Sequence, residues 1–244
     1  MSAEWSLPGV HDVICAAAPD REAVICGAVR RTRGEVTART RGLAAFLVAH
    51  GLGARRERHE LQRWECGQDI VALVMGNGAE YLESILGAFR ARAVPANVNQ
   101  HYGPAEVAAL LRYLGARAVV YHRAHGPLLA QAAADGGFAL ADLVLVDVDD
   151  GSGVPALEGS APYEAAVVTP LEVPLPTPTP DDLYLVCTGG TTGVPKAVLW
   201  RQADIYVAGM AGQEGATEEA IATMARGDSG RWFAVPSVWS DPRS

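Results

Sequence analysis

The segment from Thr188 to Lys196 combines the residue types that hold phosphate groups in proteins. Its three glycines let the backbone turn sharply and approach a ligand closely, so that successive N–H groups can point at an anion. Its three threonines add hydroxyl donors, and its terminal lysine, the only lysine in the chain, adds a point positive charge. We predict that a nucleotide's β- and γ-phosphates are bound by Thr188, Gly189, Gly190, Thr191, Thr192, Gly193 and Lys196.

This segment differs from the two common nucleotide-binding loops. A Walker-type loop needs Gly-Lys followed by Ser or Thr, whereas here Pro195 precedes the lysine and Ala197 follows it. A dinucleotide-binding fingerprint needs three glycines. Gly76-Asn77-Gly78 supplies two of them, but Tyr81 occupies the third position. A plain structural alternative, a glycine-rich turn that carries a surface lysine, stays open at this point.

Three other groups of reactive residues lack the spacing that their chemistry needs. His122 and His125 could ligate zinc, but no third or fourth ligand has suitable spacing, so we predict a solvated loop pair and no metal site. Neither Ser84 nor Ser237 lies in the Gly-x-Ser-x-Gly setting of a hydrolase. The arginines of the charged stretch 55–63 alternate with glutamates, which favours a solvated face over an anion site.

The elements on either side of the glycine-rich segment are short and apolar. Leu183–Cys187 precedes it and Ala197–Trp200 follows it, and both have the length and composition of strands. The segment is therefore predicted to join two strands, whereas a Walker-type loop leads into a helix.

The rest of the chain alternates strand-length apolar runs with amphipathic helical runs. Thr32 and Glu35 have capping-box spacing and open a predicted helix that Gly51 closes. Such alternation predicts an α/β fold in which parallel sheets are wound with helices on both faces. The predicted strands are 70–75, 118–121 and 143–148, and the further predicted helices are 79–91, 104–114 and 127–134.

Residues 149–180 have a different composition, rich in Gly, Pro, Ser and Thr. We interpret them as a connecting segment, either a surface linker within one domain or a boundary between two lobes.

Composition excludes several classes of protein. The 244 residues carry a net charge of −8, which disfavours nucleic-acid binding because that requires a basic surface. Four cysteines without a Cys-x-x-Cys pair do not make a disulfide scaffold. No signal peptide and no apolar stretch of membrane-spanning length are found, so we expect a cytoplasmic protein.

The glycine-rich segment resembles the phosphate-binding signature of the adenylate-forming superfamily. Residues 76–83, 93–99 and 197–202 are more similar to its fatty-acyl-CoA synthetase branch. This resemblance implies a reaction of ATP with a carboxylic acid to give an acyl-adenylate, followed by thioester formation with CoA. It also implies that Mg²⁺ accompanies the ATP and that residues 1–236 form part of the N-terminal large domain of an adenylate-forming enzyme.

The sequence departs from the family pattern in two respects. Ala197 stands where the family has glycine, and the adenine, ribose and C-terminal lysine segments of the family do not occur in these 244 residues. Residues 237–244 do not resemble the family. The resemblance therefore implies the N-terminal part of an acyl-CoA synthetase that is incompetent as an isolated chain. The alternative is a non-catalytic remnant with at most weak nucleotide binding.

Overall fold

A five-stranded parallel sheet organises the middle of the chain. The computed structural model describes residues 4–172, 174–188 and 196–227. The helices are α1 (Leu7–Ala17), α2 (Arg33–Ala49), α3 (Ala79–Arg90), α4 (Pro104–Leu114), α5 (Gly126–Gly136), α6 (Tyr163–Ala166), α7 (Gln202–Gly209) and α8 (Glu218–Arg226). The strands are β1 (Glu22–Cys26), β2 (Val29–Thr32), β3 (Ile70–Val74), β4 (Val94–Asn97), β5 (Ala116–His122), β6 (Val144–Val148), β7 (Ala161–Pro162), β8 (Leu183–Thr188) and β9 (Lys196–Arg201).

The central sheet has the strand order β4-β3-β5-β6-β7, and every neighbouring pair is parallel. All five residues of β3 are buried, because helices cover both faces of the sheet. A continuous apolar strand is typical of such a sheet. The predicted parallel α/β fold is confirmed, and the predicted strands and helices lie within a few residues of the observed ones.

Alternate residues of β3 face the two layers of helices. Leu73 packs in a cluster with Leu43 and Leu47 of α2 and with residues of α3 and α6. Val74 packs on the opposite face with residues of α4 and α5. The period of two along the strand thus divides the core into two clusters that share one sheet.

The predicted capping box at the start of α2 is confirmed. The Glu35 N–H donates to Thr32 Oγ1 at 3.2 Å, and the Thr32 N–H donates to a Glu35 carboxylate oxygen at 2.7 Å. Gly51 follows the helix with a φ of 75°, a left-handed conformation that glycine adopts without a steric penalty.

The connecting segment 149–180 contains two elements that the sequence did not predict. β7 adds the last strand to the central sheet, and α6 places Tyr163 in the core. The Tyr163 hydroxyl donates to Glu83 Oε2 at 3.1 Å, and this carboxylate is fully buried. Residues after α6 pass so close to α2 that a Cβ at Gly42 would lie 1.9 Å from the Val167 carbonyl oxygen. Part of this segment therefore completes the parallel sheet.

The N-terminal helix α1 packs beside α3 and α8. Arg90 of α3 is buried and donates to His11 Nδ1 at 3.0 Å and to Asp12 Oδ2 at 3.0 Å. Burial, followed by the charge of Arg90, lowers the pKa of His11 to about 4, although Asp12 opposes the shift and Arg33 adds to it. Across the described ranges, no helix is long and apolar enough to cross a membrane.

The last two strands form an antiparallel hairpin outside the central sheet. Leu183 pairs with Arg201 at the base of the hairpin, and Thr188 pairs with Lys196 at its tip. One face of the hairpin packs on Ile70 and Val94 of the central sheet. The two strands predicted to flank the glycine-rich segment are thereby confirmed.

Candidate functional site

The hairpin β8–β9 places the two ends of the glycine-rich segment side by side. Thr188 and Lys196 are its last paired residues, and both lie in strands. Antiparallel strands can be joined by a short connection, which suits the seven residues between them. The other predicted phosphate-binding residues, Gly189, Gly190, Thr191, Thr192 and Gly193, lie outside the described residues.

The β8 strand runs in the same direction as β3 and β4. At its base, the Leu183 N–H donates to Gln68 Oε1 at 2.7 Å, two residues before β3 begins. Towards its tip, Cys187 shares a cleft with Met75 and Asn97, at the carboxyl ends of β3 and β4. Ligands of open α/β sheets bind at this edge, and the hairpin places the two described ends of the glycine-rich segment, Thr188 and Lys196, there.

A cleft of about 290 Å³ opens at this edge. Its walls come from the turns that follow β3 and β4 and from the end of β8. The lining residues are Met75, Gly76, Asn77, Asn97, Val98, Asn99, Gln100, Tyr102 and Cys187.

The described part of the cleft is polar. Four carboxamide side chains line it, those of Asn77, Asn97, Asn99 and Gln100, and among the residues whose side chains the structure describes no lysine, arginine, aspartate or glutamate does. Burial raises the pKa of the Cys187 thiol, so this group is a neutral thiol near pH 7. The described lining can therefore exchange hydrogen bonds with a neutral polar ligand.

His122 supports one wall of this cleft. The Gly76 N–H donates to His122 Nδ1 at 3.3 Å. Burial lowers the pKa of His122, which favours the neutral imidazole that this hydrogen bond requires. The His125 ring stacks on it at 6.5 Å between centroids. His122 is half-buried and holds a backbone N–H, so the predicted solvated pair is wrong for His122.

The remaining sequence candidates do not meet at this edge. Ser84 is fully buried, and Ser237 lies outside the described residues. The predicted solvated face is confirmed for Arg55, Arg56 and Arg63, which are exposed. Glu57 instead accepts hydrogen bonds from the guanidinium of Arg92. Within ranges 4–172, 174–188 and 196–227, no three His, Cys, Asp or Glu side chains are grouped to hold a metal ion.

An ionic clamp fixes the base of the hairpin, and the sequence did not predict it. The clamp consists of Arg92, between α3 and β4, together with Glu57 and Asp182. The guanidinium of Arg92 donates to both oxygens of Glu57 at 2.9 and 2.8 Å, and to Asp182 Oδ1 at 2.8 Å. These hydrogen bonds lower the pKa of Glu57 and raise that of Arg92.

The carboxamides of the cleft were also missed as site residues. Asn77, Asn97 and Asn99 belong to segments that resemble the fatty-acyl-CoA synthetase branch, and Gln100 directly follows one of them, but no binding role was predicted for these residues. Their position directly after two adjacent parallel strands is the signal that could have found them. The partners of Arg92 lie 35 and 90 positions away, so no local pattern could have revealed the clamp.

The sequence matches one protein family over most of its length. Residues 12–239 match the family described as AMP-binding enzyme. The medium-chain acyl-CoA ligase Mig of Mycobacterium avium is 42% identical over 217 residues, which cover 88% of this chain and 39% of that protein. A medium/long-chain-fatty-acid–CoA/3-oxocholest-4-en-26-oate–CoA ligase of Mycobacterium marinum is 31% identical and covers 84% of this chain and 36% of its own. The chain thus spans less than half the length of these relatives.

Solved structures of ligases share the fold. The anthranilate CoA ligase AuaEII in complex with anthranoyl-AMP superposes with a TM-score of 0.67 at 18% identity, over 85% of this chain and 36% of that one. The N-terminal domain of FACL13 from Mycobacterium tuberculosis superposes with a TM-score of 0.65 at 20% identity, over 84% of this chain and 46% of that one.

Proposed function

The chain belongs to the AMP-binding enzyme family, and we propose that it is the N-terminal part of an acyl-CoA synthetase. The whole protein would convert ATP, a carboxylic acid and CoA into acyl-CoA, AMP and pyrophosphate. Residues 1–236 would form part of the adenylation domain, with 149–180 as its connecting segment. The free state of all four cysteines fits a cytoplasmic setting.

One observation carries this proposal. The glycine-rich segment lies between two paired strands whose tip stands at the carboxyl edge of the parallel sheet, beside the cleft. The segment that we propose to bind phosphate would therefore lie beside the cleft that we propose to bind a second substrate, as a reaction between the two requires.

In the proposed reaction the protein itself forms no covalent bond with the substrates. A carboxylate oxygen of the acid attacks the α-phosphorus of ATP, a C(=O)O–P bond forms, and the bond to pyrophosphate breaks. Thr188, Gly189, Gly190, Thr191, Thr192, Gly193 and Lys196 would hold the leaving pyrophosphate through hydroxyl groups, backbone N–H groups and one ammonium. Such donors lower the barrier by stabilising the charge that develops on the leaving group. Magnesium would enter bound to the nucleotide phosphates.

The cleft is best suited to the pantetheine arm of CoA. The lining residues that the structure describes carry no charge to match a phosphate, and their carboxamides disfavour an aliphatic acyl chain. Pantetheine is neutral and contains two amides, which can exchange hydrogen bonds with Asn77, Asn97 and Gln100. After adenylation, attack of the CoA sulfur on the acyl carbonyl would form the thioester and release AMP.

Calorimetric titration of ATP and AMP against the wild type and Lys196→Ala tests the phosphate site. A charge-assisted contact contributes about 1.5–3 kcal/mol, so Lys196→Ala should weaken ATP about tenfold or more. AMP should be affected much less, because it lacks the outer phosphates. Arg30→Ala, which removes an exposed charge on β2, is the control and should leave both affinities unchanged.

The alternative outcomes are informative. Equal losses for ATP and AMP would mean that Lys196 does not contact the outer phosphates. A wild-type chain that binds no ATP would support the non-catalytic remnant instead. Titration of pantetheine against the wild type and Asn97→Ala tests the cleft separately, and the variant should bind pantetheine more weakly. The two tests are independent because ATP and pantetheine are proposed to bind at different sites.

A further inference from the structure

Arg92 has a backbone conformation that disfavours its own side chain. Its φ is 55°, in the left-handed region, where a Cβ is crowded and glycine is not. Only one other non-glycine residue in the described ranges has a positive φ, namely Ala211. Such an outlier persists only where the surrounding structure holds it, and this points to a role for the side chain.

The side chain of Arg92 satisfies a buried carboxylate. Asp182 is 2% exposed, and its Oδ1 accepts from Arg92 Nη2 at 2.8 Å. The other carboxylate oxygen accepts from the Thr179 N–H at 2.9 Å. A buried carboxylate requires such partners, so the position of Asp182 depends on Arg92. Glu57, which is half exposed, accepts from Nη1 and Nη2 of the same guanidinium, on the edge next to the one that faces Asp182.

Asp182 connects this clamp to both strands of the hairpin. It directly precedes β8, and its carbonyl oxygen accepts from the N–H of Gln202, directly after β9, at 2.8 Å. A second link runs through Gln68, which accepts from the Leu183 N–H and donates to the Arg92 carbonyl at 2.8 Å. The base of the hairpin is therefore tied to the turns that precede β3 and β4.

We propose that Arg92 is a positioning residue. Its hydrogen bonds to Glu57 and Asp182 fix the orientation of the hairpin, so that the hairpin tip lies beside the cleft that the four carboxamides line. A six-residue strand is about 20 Å long, so a tilt of ~10° at the base displaces the tip by roughly 3 Å. Misplacement by about 1 Å can cost on the order of 100-fold in rate where two reactants must meet. The functional meaning of this placement rests on the proposed acyl-CoA synthetase activity, whereas the placement itself does not.

Hydrogen exchange of Arg92→Gly tests the clamp. Glycine accepts the backbone conformation, so this variant removes the side chain and relieves the steric crowding together. We expect amides of β8 and β9 to exchange at least tenfold faster, while those of β3, β5 and β6 keep the wild-type rate. Alkylation of the half-buried Cys187 thiol should accelerate with the hairpin amides. The matched control is Ala211→Gly, which relieves the same kind of crowding outside the clamp and should leave hairpin exchange unchanged.

Two further variants separate positioning from general stability. Glu57→Gln removes only the outer carboxylate and should accelerate hairpin exchange by a smaller factor. Arg92→Lys keeps one charge but cannot grip both carboxylates with a planar fork, so it should restore protection only in part. If Arg92 only stabilised the whole fold, its loss would raise the amide exchange rates of the sheet and the hairpin together. Arg92→Lys would then not restore protection in the hairpin alone.

ATP titration of the same variants connects placement to binding. If the wild type binds ATP, Arg92→Gly should weaken it at least tenfold and Arg92→Lys should recover part of the loss. Wild-type hairpin exchange in Arg92→Gly, or a uniform rise across sheet and hairpin in both Arg92→Gly and Glu57→Gln, overturns the proposal. A wild type that binds no ATP overturns the proposed function but leaves the exchange result for the clamp intact.

Discussion

The central sheet and the β8–β9 hairpin are stabilised in different ways. The strands of the sheet are covered by helices on both faces, and residues such as Leu73 and Val120 are fully buried. The hairpin is covered on one face, while Val186, Val198 and Trp200 are 37–42% exposed. Its base is held by polar contacts to Arg92 and Gln68.

This difference separates a rigid support from an adjustable element. Apolar packing over a whole sheet depends on many contacts, so no single polar group controls it. The hairpin packs only one apolar face on the sheet, so the few charged and amide groups at its base, each with a defined partner, matter more for its position. The glycine-rich segment is thus carried by the element whose position one side chain can change.

The largest effect is expected from truncating a side chain in the sheet. Leu73→Ala leaves a cavity between the sheet and α2, and should lower the free energy of unfolding by about 2–5 kcal/mol. Val198→Ala on the exposed hairpin face should change it by less than about 0.5 kcal/mol. Urea denaturation of both variants measures the contrast. Similar losses at the two sites would mean that the hairpin face is covered in solution.

Acid should affect the helical layer beside the sheet before it affects the clamp. The pKa of His11 is lowered to about 4, so the unfolded chain binds a proton between pH 6.5 and 4 that the folded chain resists. Stability should therefore fall by about 2–3 kcal/mol as the pH drops through this window, with no further loss from His11 below it. Urea denaturation at several pH values measures this slope.

The matched variant for the acid experiment is His11→Asn. It keeps a side-chain acceptor for Arg90 but cannot take up the proton, so its stability should depend less steeply on pH between 6.5 and 4. Identical slopes in the wild type and the variant would assign the acid sensitivity to other groups. The lowered pKa of Glu57 predicts that the outer half of the clamp stays ionised through most of this window.

A smaller effect is expected at the start of α2, which covers the sheet. Thr32→Ala removes the acceptor for the Glu35 N–H and should cost about 1 kcal/mol of global stability. Thr32→Ser keeps the hydroxyl and should retain most of it. Hydrogen exchange of the hairpin should stay unchanged in both variants when global unfolding is suppressed. Faster hairpin exchange in Thr32→Ala alone would show that the two regions are coupled.

The parts of the fold that the sequence predicts are those with local signals. Thr32 and Glu35 lie within one helical turn of each other, and the alternation along β3 and β5 reflects two buried faces. The strand-length runs on either side of the glycine-rich segment placed it correctly between two strands.

The parts that escaped prediction depend on distant partners. β7 has only two residues, and nothing in the Pro- and Gly-rich segment indicates that Tyr163 contacts Glu83 or that Val167 passes close to Gly42. The cleft depends on the turns that follow β3 and β4 meeting the end of β8 at one edge. Local periodicity carries no information on these tertiary contacts, because they join residues far apart in the chain.

The long sequence separation of the hairpin from its anchors has a consequence for biosynthesis. β9 ends at Arg201, 39 residues after β7 ends at Pro162. At ~5–20 residues per second, a ribosome needs roughly 2–8 s to add them. We expect the nascent chain to assemble the parallel sheet during this interval. Arg92 and Gln68 would then already be in place, just before the first residues of β4 and β3. The β8–β9 hairpin would then dock after the parallel sheet has formed, onto strands that translation has already completed.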